Sequence, residues 1–171
     1  MIYTNKDKVV EITDAPQSSV GAPIPIVMSD ESDLYVAYYL QNAPEGWDGT
    51  TVKLMSIDSE GEPIAIVKFP SFLVYQFGPP NDEAFSGHPL YKKGLRPYGV
   101  FEIKASSWVD YFEKMNSVHP SHKKELFQKY RHFVFSFHDT TLEIISDKFE
   151  FDIITGSLKS AAKQIQEKLG W

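Results

Sequence analysis

Hydrophobic and polar residues alternate along much of the first two thirds of the chain, which is the period of β-strands. Between residues 34 and 40 both alternating sets are apolar, with Val36 and Tyr38 on one face and Tyr35 and Ala37 on the other. A strand with two apolar faces is one that is covered on both sides. This segment is therefore predicted to be a central strand.

Shorter apolar runs predict the strands around it. Alternating residues at 52–57 and 64–69 flank turn-forming residues and indicate a hairpin, and residues 72–77 resume an extended pattern after Pro70. The first 30 residues, which contain several prolines, are predicted to hold one or two edge strands.

Helical spacing replaces this alternation in the second part of the chain. Residues 107–117 are predicted to form a helix capped by Ser107, and a second helix is predicted to start at Ser121. An apolar stripe over residues 158–169, followed by Gly170, predicts a C-terminal amphipathic helix.

Strand-like runs at 133–138, 142–144 and 149–153 complete the pattern. Most strands are joined by short turns and the helices fall in separate blocks, so the predicted class is α+β. We predict a single domain over residues 1–171, with a mainly antiparallel β-sheet, a helical insertion near 107–131 and a C-terminal helix. Strong curvature of the sheet stays an alternative, because the twelve Phe, nine Tyr and three Trp residues could line an apolar cavity or fill a core.

Charge is distributed unevenly along the 171 residues, whose formal net charge is −6. Residues 1–90 contain four Lys or Arg against thirteen Asp or Glu, whereas residues 91–171 contain thirteen against ten. An acidic chain lacks the clustered cations that bind phosphate backbones, so no nucleic acid is expected as a partner. The acidic half favours a protein partner with a basic surface.

Several classes of protein are excluded by what the composition lacks. The chain contains no cysteine, which removes disulfides, thiolate catalysis and Cys-ligated metals and favours a cytoplasmic location. No apolar run reaches the length of a membrane span and the first residues lack a signal-peptide pattern, so we expect neither membrane association nor export. Glycine-rich phosphate-binding motifs are missing from the sequence, and no cofactor is predicted.

One segment, residues 78–99, breaks the strand pattern with four Pro and four Gly residues. Connections of this length in compact domains are usually functional or disordered, and the apolar residues near its end argue against disorder. Its candidate ligand-binding residues, which offer groups for acid–base chemistry or for binding a metal or an anion, are Asn81, Asp82, Glu83, His88 and Arg96. The alternative is an ordered loop in which these side chains only stabilise turns.

A second group of candidates lies around a predicted hairpin tip. If residues 139–140 form the tip, then Ser136, His138, Thr141 and Glu143 share one face of the sheet. Ser, His and Glu are the residue types of a hydrolytic triad, although no nucleophile-elbow motif accompanies the serine. The alternative is a polar face that is exposed to solvent.

Two other features bear on binding. Trp47 lies in a turn-rich loop, where an indole either covers the core or contacts a ligand. Five histidines are present, but the sequence contains neither a His-Glu-x-x-His motif nor an EF-hand loop. No metal site is predicted.

Several short motifs resemble those of a group of small, uncharacterised bacterial proteins. They are WDGT at 47–50, GPPNDEA at 78–84, GHPL at 87–90, SW at 107–108, HP at 119–120, and RHF at 131–133 running to FHD at 137–139. The resemblance spans residues 34–155. It implies a bacterial source and a recurring design that includes the loop from Gly78 and the tip at 137–139. It implies no activity and no catalytic residues.

Two hypotheses of function are consistent with these patterns. The first is a cytoplasmic, non-enzymatic binding or interaction domain that neutralises a basic partner, as immunity proteins neutralise toxins. The second is an enzyme or small-ligand-binding protein whose site forms where the 78–99 loop meets the 138–143 hairpin tip. The second requires His88 and His138 to approach within about 8 Å, with a carboxylate between them, inside a pocket.

Overall fold

A computed structural model describes residues 3–42 and 54–171. Within those residues the chain forms nine strands and two α-helices, which are, in order, β1 (Lys8–Glu11), β2 (Ile26–Ser29), β3 (Asp33–Tyr39), β4 (Glu62–Pro70), β5 (Val74–Gly78), β6 (Val100–Lys104), α1 (Ser107–Asn116), β7 (Arg131–Ser136), β8 (Thr141–Ser146), β9 (Glu150–Gly156) and α2 (Leu158–Leu169). Short 3-10 helices lie at Phe85–Gly87, Tyr91–Lys93 and Lys124–Phe127.

The strands form two antiparallel sheets that pack face to face. One sheet has the order β1-β6-β7-β8-β5 and the other the order β2-β3-β4-β9. The ring of Phe69 in β4 lies 6.2 Å from that of Phe133 and 5.4 Å from that of Phe135, while Tyr38 in β3 lies 5.0 Å from Phe137. The predicted α+β class with antiparallel pairing is confirmed, and aromatic side chains fill the space between the two sheets.

β3 is the central strand that the alternation predicts. It pairs with β2 on one side and with β4 on the other. Val36 and Tyr38 pack between the sheets, whereas Ala37 and Tyr39 pack against Leu158 of α2. Both faces are therefore buried, because one meets the second sheet and the other meets a helix.

The predicted edge strands are confirmed. β1 lies at one edge of the five-stranded sheet and β2 at one edge of the four-stranded sheet. β5 forms the other edge of the five-stranded sheet, so the chain changes sheets after Pro70. Ser71 makes this corner with a φ of 51°, in the left-handed region.

The predicted first and last helices form, and capping sets their ends. α2 starts after Ser157, whose side chain accepts a backbone N–H in a capping box, and ends at Gly170, whose φ of 78° lies in the left-handed region. α1 occupies the predicted segment, but its cap is Ser106 rather than Ser107. Ser106 Oγ accepts two N–H groups of the first turn.

Two predictions of secondary structure are wrong. Residues 54–57 form no strand, and β4 pairs with β3 and β9 instead, while residues 52 and 53 lie outside the described residues. The pairing of β4 buries both of its faces, which a two-stranded hairpin could not do. The helix predicted from Ser121 is reduced to the 3-10 turn Lys124–Phe127, where Leu126 is exposed. Unlike α1, this segment has no side-chain cap to satisfy the N–H groups of its first turn, and helix nucleation is costly without such support.

The outer face of the five-stranded sheet is covered by the 79–99 loop. Phe85, Leu90 and Leu95 of the loop pack against Phe101 of β6 and Val134 of β7. The loop is therefore ordered by its own apolar residues. Of the two α-helices in the described ranges, the longer has 12 residues, and neither has the length and apolar character needed to cross a bilayer.

Candidate functional site

Glu143 of β8 is the centre of a buried polar cluster on the outer face of the five-stranded sheet. Its exposed fraction is 3%. His88 Nε2 lies 3.3 Å from its Oε1 and His132 Nε2 lies 3.1 Å from its Oε2, and the hydroxyl of Tyr3 donates to Oε2. We refer to Tyr3, His88, His132 and Glu143 as the Glu143 cluster.

The sheet and the loop position the two histidines. Val134 of β7 pairs with Glu143 of β8, and His132 lies two residues before Val134, so His132 and Glu143 share one face. His88 follows the 3-10 turn at Phe85–Gly87, and its ring stacks on Phe85 at 5.8 Å. Packing of the loop on the sheet therefore brings His88 to Glu143.

The second ring nitrogen of each histidine determines where its proton lies. Nδ1 of His88 accepts the N–H of Leu90 at 3.1 Å, so its ring proton is on Nε2 and points at Glu143. Nδ1 of His132 lies 2.9 Å from Oγ of Ser106, which already accepts two helix N–H groups and therefore donates its hydroxyl proton. On this hydrogen-bond pattern both histidines donate from Nε2 to Glu143.

The cluster keeps Glu143 ionised. Burial alone would raise the pKa of Glu143, but hydrogen bonds from His132 and His88 outweigh burial and lower its pKa to about 2. Burial, together with the charge of Glu143, raises the pKa of Tyr3 well above its ordinary value. At neutral pH a buried carboxylate therefore faces three donors, and Tyr3 keeps its proton.

N-terminal residues close the cluster from outside. The carboxylate of Asp7 accepts the backbone N–H of Ser107 at 2.6 Å and its hydroxyl at 2.8 Å, at the start of α1. Lys93 of the loop donates to the carbonyl oxygens of Thr4 and Asp7. These bonds hold Tyr3 over Glu143. The carboxylate and both imidazoles are almost fully buried, so the cluster is closed to solvent.

Successive hydrogen bonds link Ser106 to His132 and His132 to Glu143, and these three are the residue types of a hydrolytic triad. Ser106 and His132 also line a cleft of about 390 Å³ between β6, α1 and the 3-10 turn at Lys124–Phe127. The oxygen of Ser106 is occupied by two helix N–H groups, and Asp7 occupies the N–H of Ser107 that could otherwise stabilise an oxyanion. This geometry favours a structural role for the three residues.

The tautomer of His88 also disfavours metal binding at Glu143. A metal-bound histidine coordinates through a deprotonated nitrogen and donates from the other nitrogen to a second group. Nδ1 of His88 faces the N–H of Leu90, which is itself a donor. Within the described ranges, no group of three or more His, Asp and Glu side chains is arranged to hold a metal ion.

A second, more exposed cluster surrounds the turn after β7. Asp82 donates its backbone N–H to the carbonyl of His138 at 2.9 Å, and its carboxylate accepts the hydroxyl of Tyr98. The hydrogen bond to Asp139, at 2.9 Å, raises the pKa of His138, and the bond from Tyr98 lowers the pKa of Asp82. We refer to Asp82, Tyr98, His138 and Asp139 as the tip cluster.

The predicted site residues are thus divided between two places. His88 lies against Glu143 and His138 lies against Asp139, so the two histidines contact different carboxylates. Neither histidine lines the 390 Å³ cleft. Glu83 is exposed beside the tip cluster.

The remaining loop candidates stabilise the loop itself. Asn81 Oδ1 accepts the N–H of Ala84 at 3.0 Å. Arg96 donates to the carbonyls of Tyr91 and Leu95, at 2.8 and 2.7 Å, and its guanidinium stacks on the ring of Tyr91. These contacts agree with an ordered loop held by its polar side chains. Trp47 lies outside the described residues.

The predicted polar face is buried rather than exposed to solvent. Ser136 pairs with Thr141, and both share a face with Glu143, although the register differs by two residues from the one predicted. Ser136 donates to the carbonyls of Arg96 and Gly99, and Thr141 to that of Pro80, at distances from 2.9 to 3.0 Å. The solvent-face interpretation is wrong because the loop covers the strands and uses their hydroxyls as anchors.

Three residues that bond to or around Glu143 are not among the predicted site residues. They are Tyr3, Ser106 and His132. His132 shares the parity of Ser136 in β7, so strand alternation predicts that it lies on the same face as Glu143 but not that the two residues touch. Ser106 carries a weaker signal as a residue next to the predicted helix start. Tyr3 has no local signal, because its contact with Glu143 spans 140 residues of sequence.

Comparison of the chain with protein-family models, curated protein sequences and solved structures found no match. The motif resemblance to a bacterial group, which includes the 78–84 and 137–139 segments, stays a prediction. A function for the chain can therefore be inferred only from its fold, its burial pattern and its charge.

Proposed function

We propose that the protein is a non-enzymatic binding domain whose partner is a protein with a basic surface. The proposal is supported by a contrast between two sets of polar groups. The residues best suited to chemistry satisfy one another inside the closed Glu143 cluster. Several of the exposed carboxylates lie near two turns at one end of the two packed sheets.

Contacts between the sheets define that end. Tyr38, near the end of β3, packs on Phe137, which follows β7. The turn before β4 and the turn between β7 and β8 therefore lie at the same end of the molecule. The carboxylates near these turns, here called the acidic end, are those of Asp58, Glu60, Asp82, Glu83 and Asp139.

Among the described residues of the acidic end, carboxylates outnumber the cations that pair with them. Asp82 is half-buried and the other four carboxylates are exposed. Lys159 lies 3.0 Å from Asp58 and His138 lies 2.9 Å from Asp139, which leaves Glu60 and Glu83 among the carboxylates that can meet a cationic partner. A concentration of one sign of charge accelerates encounter with a partner of the opposite sign.

The acidity of the first 90 residues does not form one surface. Asp33 pairs with Pro70 at one end of β4, whereas Asp58 and Glu60 precede Glu62 at the other end. The turn from Asp30 to Asp33 is therefore remote from the acidic end. The proposed partner surface is therefore smaller than the acidic composition of residues 1–90 suggests.

Neutralisation of a toxin-like partner is the specific form of this proposal. A partner of that kind would bind through long-range attraction, which weakens as salt screens the charges. Its affinity would rest on contacts made after encounter, as in other protein complexes. The acidic end would set the rate of association.

The test begins with the capture of binding proteins from the source organism on the tagged chain. The captured protein is then purified, and its association rate is measured against two triple variants of equal charge change. One variant, Glu60→Lys with Glu83→Lys and Asp139→Lys, alters the acidic end. The matched control, Glu31→Lys with Glu125→Lys and Glu167→Lys, alters exposed carboxylates elsewhere.

We expect the acidic-end variant to slow association at least tenfold at low salt, and the control to slow it much less. The difference should shrink as the salt concentration rises. Equal slowing by both variants would contradict a localised partner surface. Failure of the wild-type chain to bind any purified basic protein that it captures would contradict the proposal as a whole.

The second candidate function is an enzyme or small-ligand-binding site at the tip cluster. It is favoured by one observation, that the partly exposed tip cluster holds an imidazole beside carboxylates, with the pKa of His138 raised by Asp139 and the pKa of Asp82 lowered by the hydrogen bond from Tyr98. Thermal unfolding in the presence of anionic and cationic metabolites tests it. A metabolite that raises the unfolding temperature of the wild type but not that of His138→Ala would favour this function over protein binding.

A further inference from the structure

Within the described residues, β9 is an open edge of the four-stranded sheet. It pairs with β4, and no other strand of the described ranges pairs with its second side. β9 has seven residues, whereas the edge strands β1 and β2 have four and β5 has five. Open edges carry unpaired N–H and C=O groups, and proteins usually protect them with charged side chains, especially Lys, with Pro or with a bulge. Neither Lys nor Pro occurs within β9, whose charged residues are Glu150 and Asp152.

Two large apolar side chains of β9 remain exposed. Phe151 and Ile153 pair with Val67 and Ala65, which face the second sheet, so their side chains project towards the same side. Their exposed fractions are nevertheless 43% and 58%. The edge therefore joins unpaired backbone groups to an apolar stripe.

We propose that β9 pairs antiparallel with β9 of a second copy of this chain, with the two-fold axis at Ile153. This register pairs all seven residues of each strand and joins two four-stranded sheets into one of eight strands. The opposed residues are Glu150 with Gly156, Phe151 with Thr155, Asp152 with Ile154, and Ile153 with its own copy. In this register no carboxylate of β9 lies opposite another.

Charge and the number of paired residues together favour this register over its neighbours. An axis at Phe151 would place Glu150 opposite Asp152, and an axis at Asp152 would place that carboxylate opposite its own copy. Like charges directly opposite each other destabilise a strand pair. An axis at Ile154 also keeps the carboxylates apart but pairs only five residues of each strand. The axis at Ile153 pairs all seven without opposing like charges, and this self-complementarity is why a second copy is the occupant that we propose.

Cations of the same chain already accompany both carboxylates of β9. Lys168 of α2 lies 3.2 Å from Asp152, and Lys148 donates to Glu150. Two copies can therefore approach without an uncompensated row of negative charge at the interface. The proposed dimer uses β9 rather than the acidic end and does not depend on the proposed function.

Sedimentation over a range of protein concentrations tests the dimer. We expect the wild-type chain to reach twice its monomer mass of 19.5 kDa as concentration rises. Ile153→Lys, which places two ammonium groups at the axis, should remain monomeric at the same concentrations. Tyr75→Lys is the matched control, because Tyr75 is a partly exposed residue of β5, an edge strand of the five-stranded sheet, and this variant should still dimerise.

Cysteine cross-linking tests the register independently of any loss of stability. The chain has no cysteine of its own, so single substitutions report one position each. Residues directly opposite in an antiparallel pair have Cα atoms about 4.5–5.5 Å apart, which suits a disulfide. Ile153→Cys should therefore form a disulfide-linked dimer on mild oxidation, and Thr155→Cys, displaced from the axis, should do so far more slowly.

Three results would overturn the inference. They are a wild-type chain that stays monomeric at millimolar concentration, a dimer that survives Ile153→Lys but not Tyr75→Lys, and equal cross-linking of the two cysteine variants. Circular dichroism on every variant ensures that a loss of dimer is not a loss of fold.

Discussion

Nε2 of His132 lies 3.1 Å from Oε2 of Glu143, on two adjacent strands from which solvent is excluded. Through this contact a continuous series of hydrogen bonds runs from Ser106, the cap of α1, to the carboxylate of Glu143. His88 and Tyr3 join at the same carboxylate. One side chain therefore connects a helix, the sheet, the long loop and the N-terminal segment.

Replacement of Glu143 by Gln should lower the free energy of unfolding by about 2–4 kcal/mol. A glutamine has one acceptor oxygen, and its amide nitrogen would face one of three groups that are themselves donors. Urea unfolding measures the loss from the shift in midpoint at unchanged slope. Glu150→Gln makes the same atomic change at an exposed strand position and should cost less than about 0.5 kcal/mol. Equal losses for the two variants would contradict the central role of Glu143.

Acid should weaken the fold in a pH range set by Glu143. The pKa of this carboxyl is about 2 in the folded chain, against an ordinary value of 4.5. Because the folded pKa is the lower one, the stabilisation is complete above pH 4.5 and declines as the pH falls towards 2. The difference between the two pKa values corresponds to about 3 kcal/mol.

The measurement for this pH dependence is the difference in unfolding free energy between the wild type and Glu143→Gln. That difference should be constant above about pH 5 and should shrink below it, because the wild type alone gains a proton at this position on unfolding. A difference that stays constant down to pH 3 would show that folding does not lower the pKa of Glu143.

Tyr3→Phe tests the closure of the cluster by the N-terminal segment. The substitution removes the hydroxyl that donates to Glu143 and keeps the ring, so we expect a loss of about 1–2 kcal/mol. Tyr111→Phe is the matched control, because Tyr111 is partly exposed on α1 and its loss should be within about 0.5 kcal/mol of zero. Hydrogen exchange should also become faster at the amides of residues 4–7, and unchanged exchange there would contradict the closure.

The parts of the fold that local patterns predict are those where local and long-range preferences agree. β3 and α2 follow their hydrophobic periods because each apolar face meets a large partner. The predicted hairpin at 52–69 is wrong because the choice of partner for β4 is made by residues far away in sequence. Local alternation predicts that a strand forms and which of its faces is apolar, but it does not predict which strand lies beside it.

The candidate site shows the same division. His88 and Glu143 both stand out in the sequence, and packing of the loop brings them together. His138 has the parity of Ser136, but the β7–β8 ladder ends with the pair of Ser136 and Thr141, so His138 lies beyond the ladder. Tyr3 completes the cluster from a distant part of the chain. Strand parity predicts a shared face, whereas register and chain ends decide which residues touch.

A fluorophosphonate probe, which labels activated serines, tests the structural interpretation of Ser106. We expect no labelling, because Oγ of Ser106 accepts two helix N–H groups and Asp7 occupies the N–H of Ser107. Ser106→Ala should instead lower the free energy of unfolding by about 1–2 kcal/mol through loss of the helix cap. A known serine hydrolase, labelled in parallel, shows that the probe is active. Labelling of the wild type that disappears in Ser106→Ala would identify a nucleophile and would contradict the proposed non-enzymatic function.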